Sequence, residues 1–330
     1  MHKFFPLSGY LSICAILCFT ACFSQRNTPF DKQKELKVLL ISDLNGRYGS
    51  LEYSSEVDQV MQEIDKIQPD LVLCAGDMVA GQKRSLSRNR LDSMWGSFYD
   101  HVLRRTSLKG IPFGFTMGNH DASPSFHKDR QAAEAFWKAH IKETQLDFVD
   151  ARHYPFWFSY QQGDCFFISW DASSSKVPRE VMQWMQSQLN LPEAKQARMR
   201  IVLGHLPLYA LVEAKNSPGE VNADADASLA FFKANGVDLY ISGHQHAYFP
   251  GKKQGIWLLN AGCLGGGPRP LMDDVRGALK TYSVLQLGGS AGLQVQTLNP
   301  ENNQLIPLKS IPEKVHGFNG TLWRMDLSEN

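Results

Sequence analysis

The chain has 330 residues, 43% of them hydrophobic and 20% charged, enough apolar material for a sizeable core in one large domain or two small ones. Its formal net charge of +1, with no block of five like charges, argues against the basic face that a binder of nucleic acid or anionic membrane usually presents. No nucleic-acid partner is expected.

Lys3 precedes an uncharged stretch from Phe4 to Ala21, after which the composition turns polar. A basic start, an apolar middle and small residues before the break form the pattern of a signal peptide, here residues 1–22. Phe19-Thr20-Ala21-Cys22 also resembles a bacterial lipobox, with Phe19 where that motif prefers Leu, so a lipidated Cys22 would attach the protein to a membrane. Plain secretion and an uncleaved anchor stay open, since roughly 18 apolar residues is marginal for spanning a bilayer. The expected location is export: periplasmic, secreted or anchored as a lipoprotein. Cys14 and Cys18 fall in the leader, and Cys74, Cys165 and Cys263 are too scattered for a disulfide framework. They read as small buried hydrophobes, with one bridge left open.

Residues 23–35 read as a tether. Lys37–Ser42 predicts a buried strand, and Val57, Val60, Met61, Ile64 and Ile67 recur at helical spacing up to Pro69. Leu71–Ala75 is the next strand. Trp95, Phe98, Tyr99, Val102 and Leu103 form a helical face before a strand at Ile111–Met117. A helix over Asp129–Ile141 leads to two strands, Phe156–Tyr160 and Cys165–Trp170, whose separation by Gln-Gln-Gly-Asp predicts a hairpin. Pro178 opens a helix carrying Val181, Trp184, Met185 and Leu189. Strands follow at Met199–Leu203, Val237–Ile241, Ile256–Asn260 and Tyr282–Leu287. The alternation predicts an α/β domain over 36–290, with mixed sheets and outer helices. In a C-terminal extension, 291–330, Leu305, Ile306, Phe318 and Trp323 are expected to pack back on that domain.

The chemistry-bearing residues follow the strands. Asp43 comes after KVLLIS, Asp77 after LVLCAG, Asn119-His120-Asp121 after PFGFTMG, His205 after RIVLG, and His244 and His246 after LYISG. Carboxyl ends of strands in α/β sheets converge on one crevice, where ligands bind. An Asp after a strand is by itself more often a turn former or cap. Repeated delivery of Asp, Asn and His to the same edge is not explained that way.

The series Asp43-x-Asn45, Gly76-Asp77, Gly118-Asn119-His120-Asp121, Gly204-His205 and Gly243-His244-Gln245-His246 resembles the calcineurin-like metallophosphoesterases over residues 36 to 290. The resemblance implies two mixed β-sheets packed face to face with helices on both outer sides. It implies two divalent metal ions (Mn, Fe, Zn or Mg) that share Asp77. One site would use Asp43, Asn45, Asp77 and His246, and the other Asp77, Asn119, His205 and His244. His120 would face the phosphate and stabilise or protonate the leaving oxygen, and Asp121 would orient its imidazole by a hydrogen bond. The implied reaction is hydrolysis of a phosphomonoester or phosphodiester by a hydroxide bridging two ions about 3.5–4 Å apart. The implied partner is a small phosphate ester; cyclic nucleotides and phospholipids also stay open, as does oligomeric state.

Two departures stand out against the resemblance. Ala80 occupies the position where the family's purple acid phosphatases carry Tyr, so an iron–tyrosinate is not expected. Asn45 replaces the usual His of the first motif. Secondary candidates are Gly265-Gly266-Gly267-Pro268-Arg269, as a phosphate cradle or a plain loop, and Tyr48, as a loop tyrosine or a neighbour of the site. Pro207, Tyr209 and Tyr248 flank the motifs as pocket wall or loop packing. His101, His127, His140, His153 and His316 have no ligand-like context. Three function classes compete: a metal-dependent phosphoesterase, a degenerate binder of a phosphorylated ligand, and a structural surface lipoprotein, which leaves the convergent ligands unexplained.

The amide at Asn45 is a harder and weaker ligand than imidazole, favouring Mg, Mn or Ca. Dialysis against chelator is therefore expected to strip the first site, with activity restored by Mn. Metal analysis finding two Zn or Fe ions retained would overturn this.

Overall fold

Apart from Lys37, the runs LKVLLI and LVLC offer water no polar side chain, so both their faces need cover. In the computed structural model, which describes residues 1–2, 35–272, 274, 277–289 and 292–327, they become β1 (Leu36–Ile41) and β2 (Leu71–Cys74). β1, β2 and β3 (Phe113–Phe115) pair in parallel, with Val38 opposite Leu71 and Val72 opposite Phe113. There follow β4 (Asp147–His153), β5 (Trp157–Gln162), β6 (Cys165–Ser169), β7 (Met199–Leu203) and β8 (Leu239–Ser242). Then come β9 (Tyr248–Lys253), β10 (Ile256–Ala261), β11 (Tyr282–Gly289) and β12 (Gly292–Asn299). The last strands are β13 (Gln304–Leu305), β14 (Lys314–Gly317) and β15 (Gly320–Arg324).

The strands make two mixed sheets. One has six strands in the order β13-β12-β11-β1-β2-β3, and the other nine in the order β14-β15-β9-β10-β8-β7-β6-β5-β4. Within the second, β6, β7, β8 and β10 run parallel, so their carboxyl ends share one edge, as those of β1, β2 and β3 do. The sheets face each other, with helices outside. Between the sheets, Gly114 of β3 lies under the Tyr160 hydroxyl of β5. On the outer side of β3, Phe115 stacks at 3.8 Å on Trp137 of the helix His127–Ala139. Across β5, Ser159 hydrogen-bonds Gln188 of the helix Arg179–Leu189 at 2.8 Å. Phe232 of the helix Ala225–Ala234 packs on Trp170 and Tyr240.

Several sequence expectations need correction. The face from Trp95 to Leu103 is not one α-helix: Arg88–Phe98 passes into a wider π-turn at Tyr99–Leu103. β3 is shorter than 111–117, running only from Phe113 to Phe115. β9 was hidden by Pro250 and Gly251, which argue against a strand, yet it pairs with both β10 and β15. In the C-terminal segment Leu305 and Phe318 are exposed rather than packed back. Ile306 packs, partly buried, against the core, Leu293, Ile311, Val315 and Leu322 are the buried hydrophobic residues described there, and β12 to β15 extend both sheets. Cys74, Cys165 and Cys263 are free and buried. The expected leader with Cys22 and the tether lie outside the described residues, apart from Met1, His2 and Glu35. Among the described residues no helix is long and apolar enough to cross a membrane.

The seam between the sheets yields a stability test. A Cβ on Gly114 would collide with the Tyr160 hydroxyl and come within 2.7 Å of Leu73 Cδ2, and among the described residues the Tyr160 hydroxyl has no hydrogen-bond partner. Gly114→Ala is expected to cost about 1–3 kcal/mol by overpacking. Tyr160→Phe, which removes an unpartnered oxygen, is expected to be near neutral and to recover part of that loss in the double variant. Urea unfolding midpoints of the four proteins measure it.

Candidate metal centre

Each strand that ends at the shared edge turns sharply, and the turns carry the polar residues. Asp43 follows β1, Asp77 follows β2, Asn119 and His120 follow β3, His205 follows β7, and His244 and His246 follow β8. Four of these sit in the left-handed region, with φ of 49° at Asp43, 53° at Asp77, 67° at His244 and 56° at His246. Such backbone costs on the order of 1–3 kcal/mol per residue and persists only where its surroundings enforce it. Here the turns are bonded to one another. Asp43 N–H donates to Gly76 O at 3.0 Å, Leu44 N–H to Asp77 O at 2.9 Å, and Gly243 N–H to His205 O at 3.0 Å. Gly118 is required by close approach, because a Cβ there would land on the Asp77 carboxylate.

The side chains converge in two groups that share Asp77: Asp43, Asp77 and His246, and Asp77, His205 and His244, each with ligand atoms within 4.8 Å of one another. His246 Nε2 stands 3.2 Å from Asp43 Oδ1, and His205 Nε2 stands 3.2 Å from Asp77 Oδ2. Asn119 turns its Nδ2 to Gln82 Oε1 at 2.8 Å, which leaves Oδ1 at 3.1 Å from His205 Nε2 and 2.8 Å from His244 Nδ1.

The outer ring nitrogens decide what these contacts mean. His205 Nδ1 is 2.8 Å from Ala75 O, His246 Nδ1 is 3.0 Å from Gly267 O, and His244 Nε2 is 2.7 Å from the Glu220 carboxylate. Every one of those partners accepts, so each outer nitrogen donates. In a neutral ring the inner nitrogen then carries a lone pair. Lone pairs of three imidazoles therefore point at carboxylate and amide oxygens, an arrangement that a shared cation satisfies. The residues fit a pair of divalent ions.

The electrostatics agree. Burial opposes charge on Asp43, but the His246 and His205 imidazoles together outweigh that and hold the carboxyl below its usual range. Burial opposes charge on Asp77 too, and His205 and His120 hold it well below. Burial disfavours a charged His205, yet the Asp77 and Asp43 carboxylates push it up to about 9, so a proton occupies the inner nitrogen in the metal-free protein. His244 is pushed down to about 4, chiefly by burial, and is a neutral donor at pH 7.

Other expected residues fall differently. Asn45 N–H donates to Asp77 O at 3.2 Å, while its amide, nearly buried, makes no hydrogen bond among the described residues. His120 N–H donates to Asp77 Oδ1 at 2.8 Å, its Nδ1 is 3.4 Å from Gly81 O, and its Nε2 is 4.0 Å from Asp77 Oδ2. Tyr48, largely exposed, leans on the His120 ring at 5.1 Å. Asp121 does not bond the His120 imidazole, contrary to expectation. Its carboxylate accepts the backbone N–H groups of Met78, Val79 and Gly118 at 2.8–2.9 Å and so ties the β2 turn to the β3 turn. Burial, reinforced by the Asp77 charge, pushes Asp121 up to about 7. The glycine loop is no free cradle either. Gly265 and Gly266 N–H donate to Asp43 O and Asn45 O, and the Gly266 and Gly267 carbonyls receive His246.

Two residues near the centre carried no sequence signal. Glu220 fixes His244, and Lys215 Nζ lies 3.2 Å from both His244 nitrogens and 3.6 Å from Glu220. Both belong to the loop between β7 and the helix Ala225–Ala234, which has no periodicity to read. Together with His120, Asn119, Ser173 and Arg269 they line a cleft of about 430 Å³ over the centre.

A family model for calcineurin-like phosphoesterases matches residues 36–248. No curated protein matches the chain. Among solved structures, a purple acid phosphatase from yellow lupin (Lupinus luteus) seeds is similar with a TM-score of 0.59 and 14% identity, over 83% of this chain and 53% of its own. The chain thus spans about half the length of that protein. GAP50, the anchor in the inner membrane complex of Plasmodium, is similar with a TM-score of 0.53 and 14% identity, over 83% of this chain and 88% of its own. These two likenesses concern the fold.

A metal ion on His205 Nε2 has to displace its proton. Titrating Mn into metal-free protein near pH 7.5 is expected to release about one proton from His205, seen as a dependence of the heat on the buffer's ionisation enthalpy. Affinity should rise with pH up to about 9 and then level off, and His205→Asn should abolish the release.

Proposed function

The chain belongs to the calcineurin-like phosphoesterase family, and from that premise we propose that it is a metal-dependent hydrolase of phosphate esters. One observation carries the reading: the inner ring nitrogens of His205, His244 and His246 converge with Asn119 Oδ1 on the buried carboxylates of Asp43 and Asp77. When bound, two divalent ions supply Lewis acidity to the phosphoryl oxygens and acidify a water.

The chain's own groups do the rest. Asp77 belongs to both ligand groups, and a carboxylate can serve two cations at once through its two oxygens. Ala75, Gly266, Gly267 and Glu220 fix the ring planes, which holds the donors in place before substrate arrives. His120 is oriented by its bond to Asp77, by Gly81 O and by the Tyr48 ring, and it lines the cleft. In this reading Nε2 of His120 delivers the proton to the leaving oxygen. Asp121 acts on the backbone that carries His120 rather than on its ring. The leader pattern adds export to the proposal, with Cys22 as an attachment point.

A second reading, a phosphate-ligand binder without turnover, is favoured by Asn45, where the first donor set departs from the family pattern, and by the fold's likeness to a Plasmodium protein described as an anchor.

Purified protein supplied with Mn is expected to hydrolyse p-nitrophenyl phosphate or bis-p-nitrophenyl phosphate, and Asp77→Asn to abolish turnover with the fold kept, judged by circular dichroism. Phosphate binding without turnover of either ester would select the second reading.

A further inference from the structure

Lys215 is unusual for where its charge lies. It closes the short turn Glu213–Lys215, and its side chain is only 14% exposed, with Nζ over the His244 ring and 3.6 Å from Glu220. A lysine on a loop normally keeps its ammonium in water. This one points into the cleft that His120, Asn119 and His244 line. Burial disfavours its charge and lowers its pKa, and the Asp77, Glu220 and Asp43 carboxylates oppose that fall. Glu220 is shared, lying 2.7 Å from His244 Nε2 and 3.6 Å from Lys215. Ions bound by Asp43 and Asp77 would neutralise those two carboxylates, leaving Lys215 with the shared Glu220 and room in the cleft for a further anion. Arg269, a second cation in the same wall, has a buried Nη1 with no hydrogen-bond partner among the described residues.

The geometry points to Lys215 as a phosphate-binding residue that gives the site a preference for phosphomonoesters over phosphodiesters. This rests on the phosphoesterase reading. A monoester above pH 6 carries close to two negative charges, since its second pKa is about 6, whereas a diester carries one. In a diester one non-bridging oxygen is replaced by an esterified one that cannot take an ammonium. A fixed cation beside the metal centre therefore favours the dianion in binding and more so as charge builds in the transition state. The hydrolysis itself is balanced by water alone: the P–O bond to the leaving group breaks, one forms to water oxygen, and the proton passes to the leaving oxygen. Lys215 transfers nothing in it.

The test compares wild type, Lys215→Ala and Lys215→Arg, all loaded with Mn, on p-nitrophenyl phosphate and bis-p-nitrophenyl phosphate at pH 7.5. Wild type is expected to prefer the monoester. Lys215→Ala should lower kcat/KM for the monoester roughly 10²-fold and for the diester no more than roughly tenfold, with Lys215→Arg restoring most of the monoester rate. Calorimetric affinity for inorganic phosphate should fall in parallel, while Mn content stays that of wild type. A wild type that prefers the diester, equal losses on both esters, or loss of Mn from Lys215→Ala would overturn the assignment, leaving Lys215 a prop for His244. If wild type turns over neither ester, the phosphoesterase reading fails by itself. Phosphate affinity then decides on Lys215: weakened binding in Lys215→Ala supports the anion site, and unchanged binding overturns it.

Discussion

The outer face of each imidazole dictates what its inner face can do. Ala75 O, Gly267 O and the Glu220 carboxylate all accept, so His205, His246 and His244 must each donate outward. A neutral ring so bonded can only present a lone pair inward, toward oxygens that also present lone pairs. Burial removes the water that would otherwise separate them: Asp43 and Asp77 are 0% and 1% exposed. In the metal-free protein a proton on His205 relieves part of this repulsion. Unpaired charge inside a protein costs several kcal/mol per ion, so the fold carries a standing penalty there that cations or protons must offset.

That penalty explains how much of the surrounding structure is given to holding turns. Asp121 spends its carboxylate on three backbone N–H groups, and Asp43 accepts from His244 N–H with both oxygens at 3.1 Å. Leu264 N–H on Ser42 O, Gly265 N–H on Asp43 O and His205 Nδ1 on Ala75 O bind the turns of the second sheet to those of the first. The two sheets are thus joined at the same edge where the charges gather, so strain in the left-handed residues and repulsion among lone pairs are carried by one hydrogen-bonded framework. Parallel strands are what bring five turns to that edge; antiparallel neighbours would have sent alternate turns to the far side.

The strand-end motifs were legible because they are local. A buried apolar run followed by Ser-Asp or by Gly and a polar residue announces both the strand and the turn, and β1, β2, β7 and β8 lie within a residue or two of their expected limits. Asp121 was misread because its partners are backbone N–H groups of the β2 turn, and a sequence does not show which of two neighbours, an imidazole or a distant amide, a carboxylate will reach. For the glycine loop the sequence left a cradle and a plain loop open, and the bonds of its amides to Asp43 and Asn45 carbonyls, distant in sequence, favour the loop. Glu220 and Lys215 lie in a loop with no period and no motif, and reach His244 only because the chain folds back across the end of β8. β9 and β15 pair across a Pro and a Gly that local rules read as breaks.

This division between legible and illegible residues has a physical basis that bears on what the site does. Groups that take part in any phosphoryl transfer must sit at fixed positions, and strand ends braced by backbone bonds supply that rigidity. Groups that choose among esters need only line the approach, and loops can supply them with few constraints on sequence. On the assignment proposed above, Lys215 and Arg269 would be of the second kind, as would Glu220, which also fixes His244. Choice of ester and grip on metal would then be coupled through one carboxylate, since any change in the loop that moves Glu220 would alter both. A chain that evolves toward a different ester has to keep Glu220 in place while it changes Lys215, which makes that ammonium, rather than the ligands beneath it, the position where substrate preference can shift without loss of the centre.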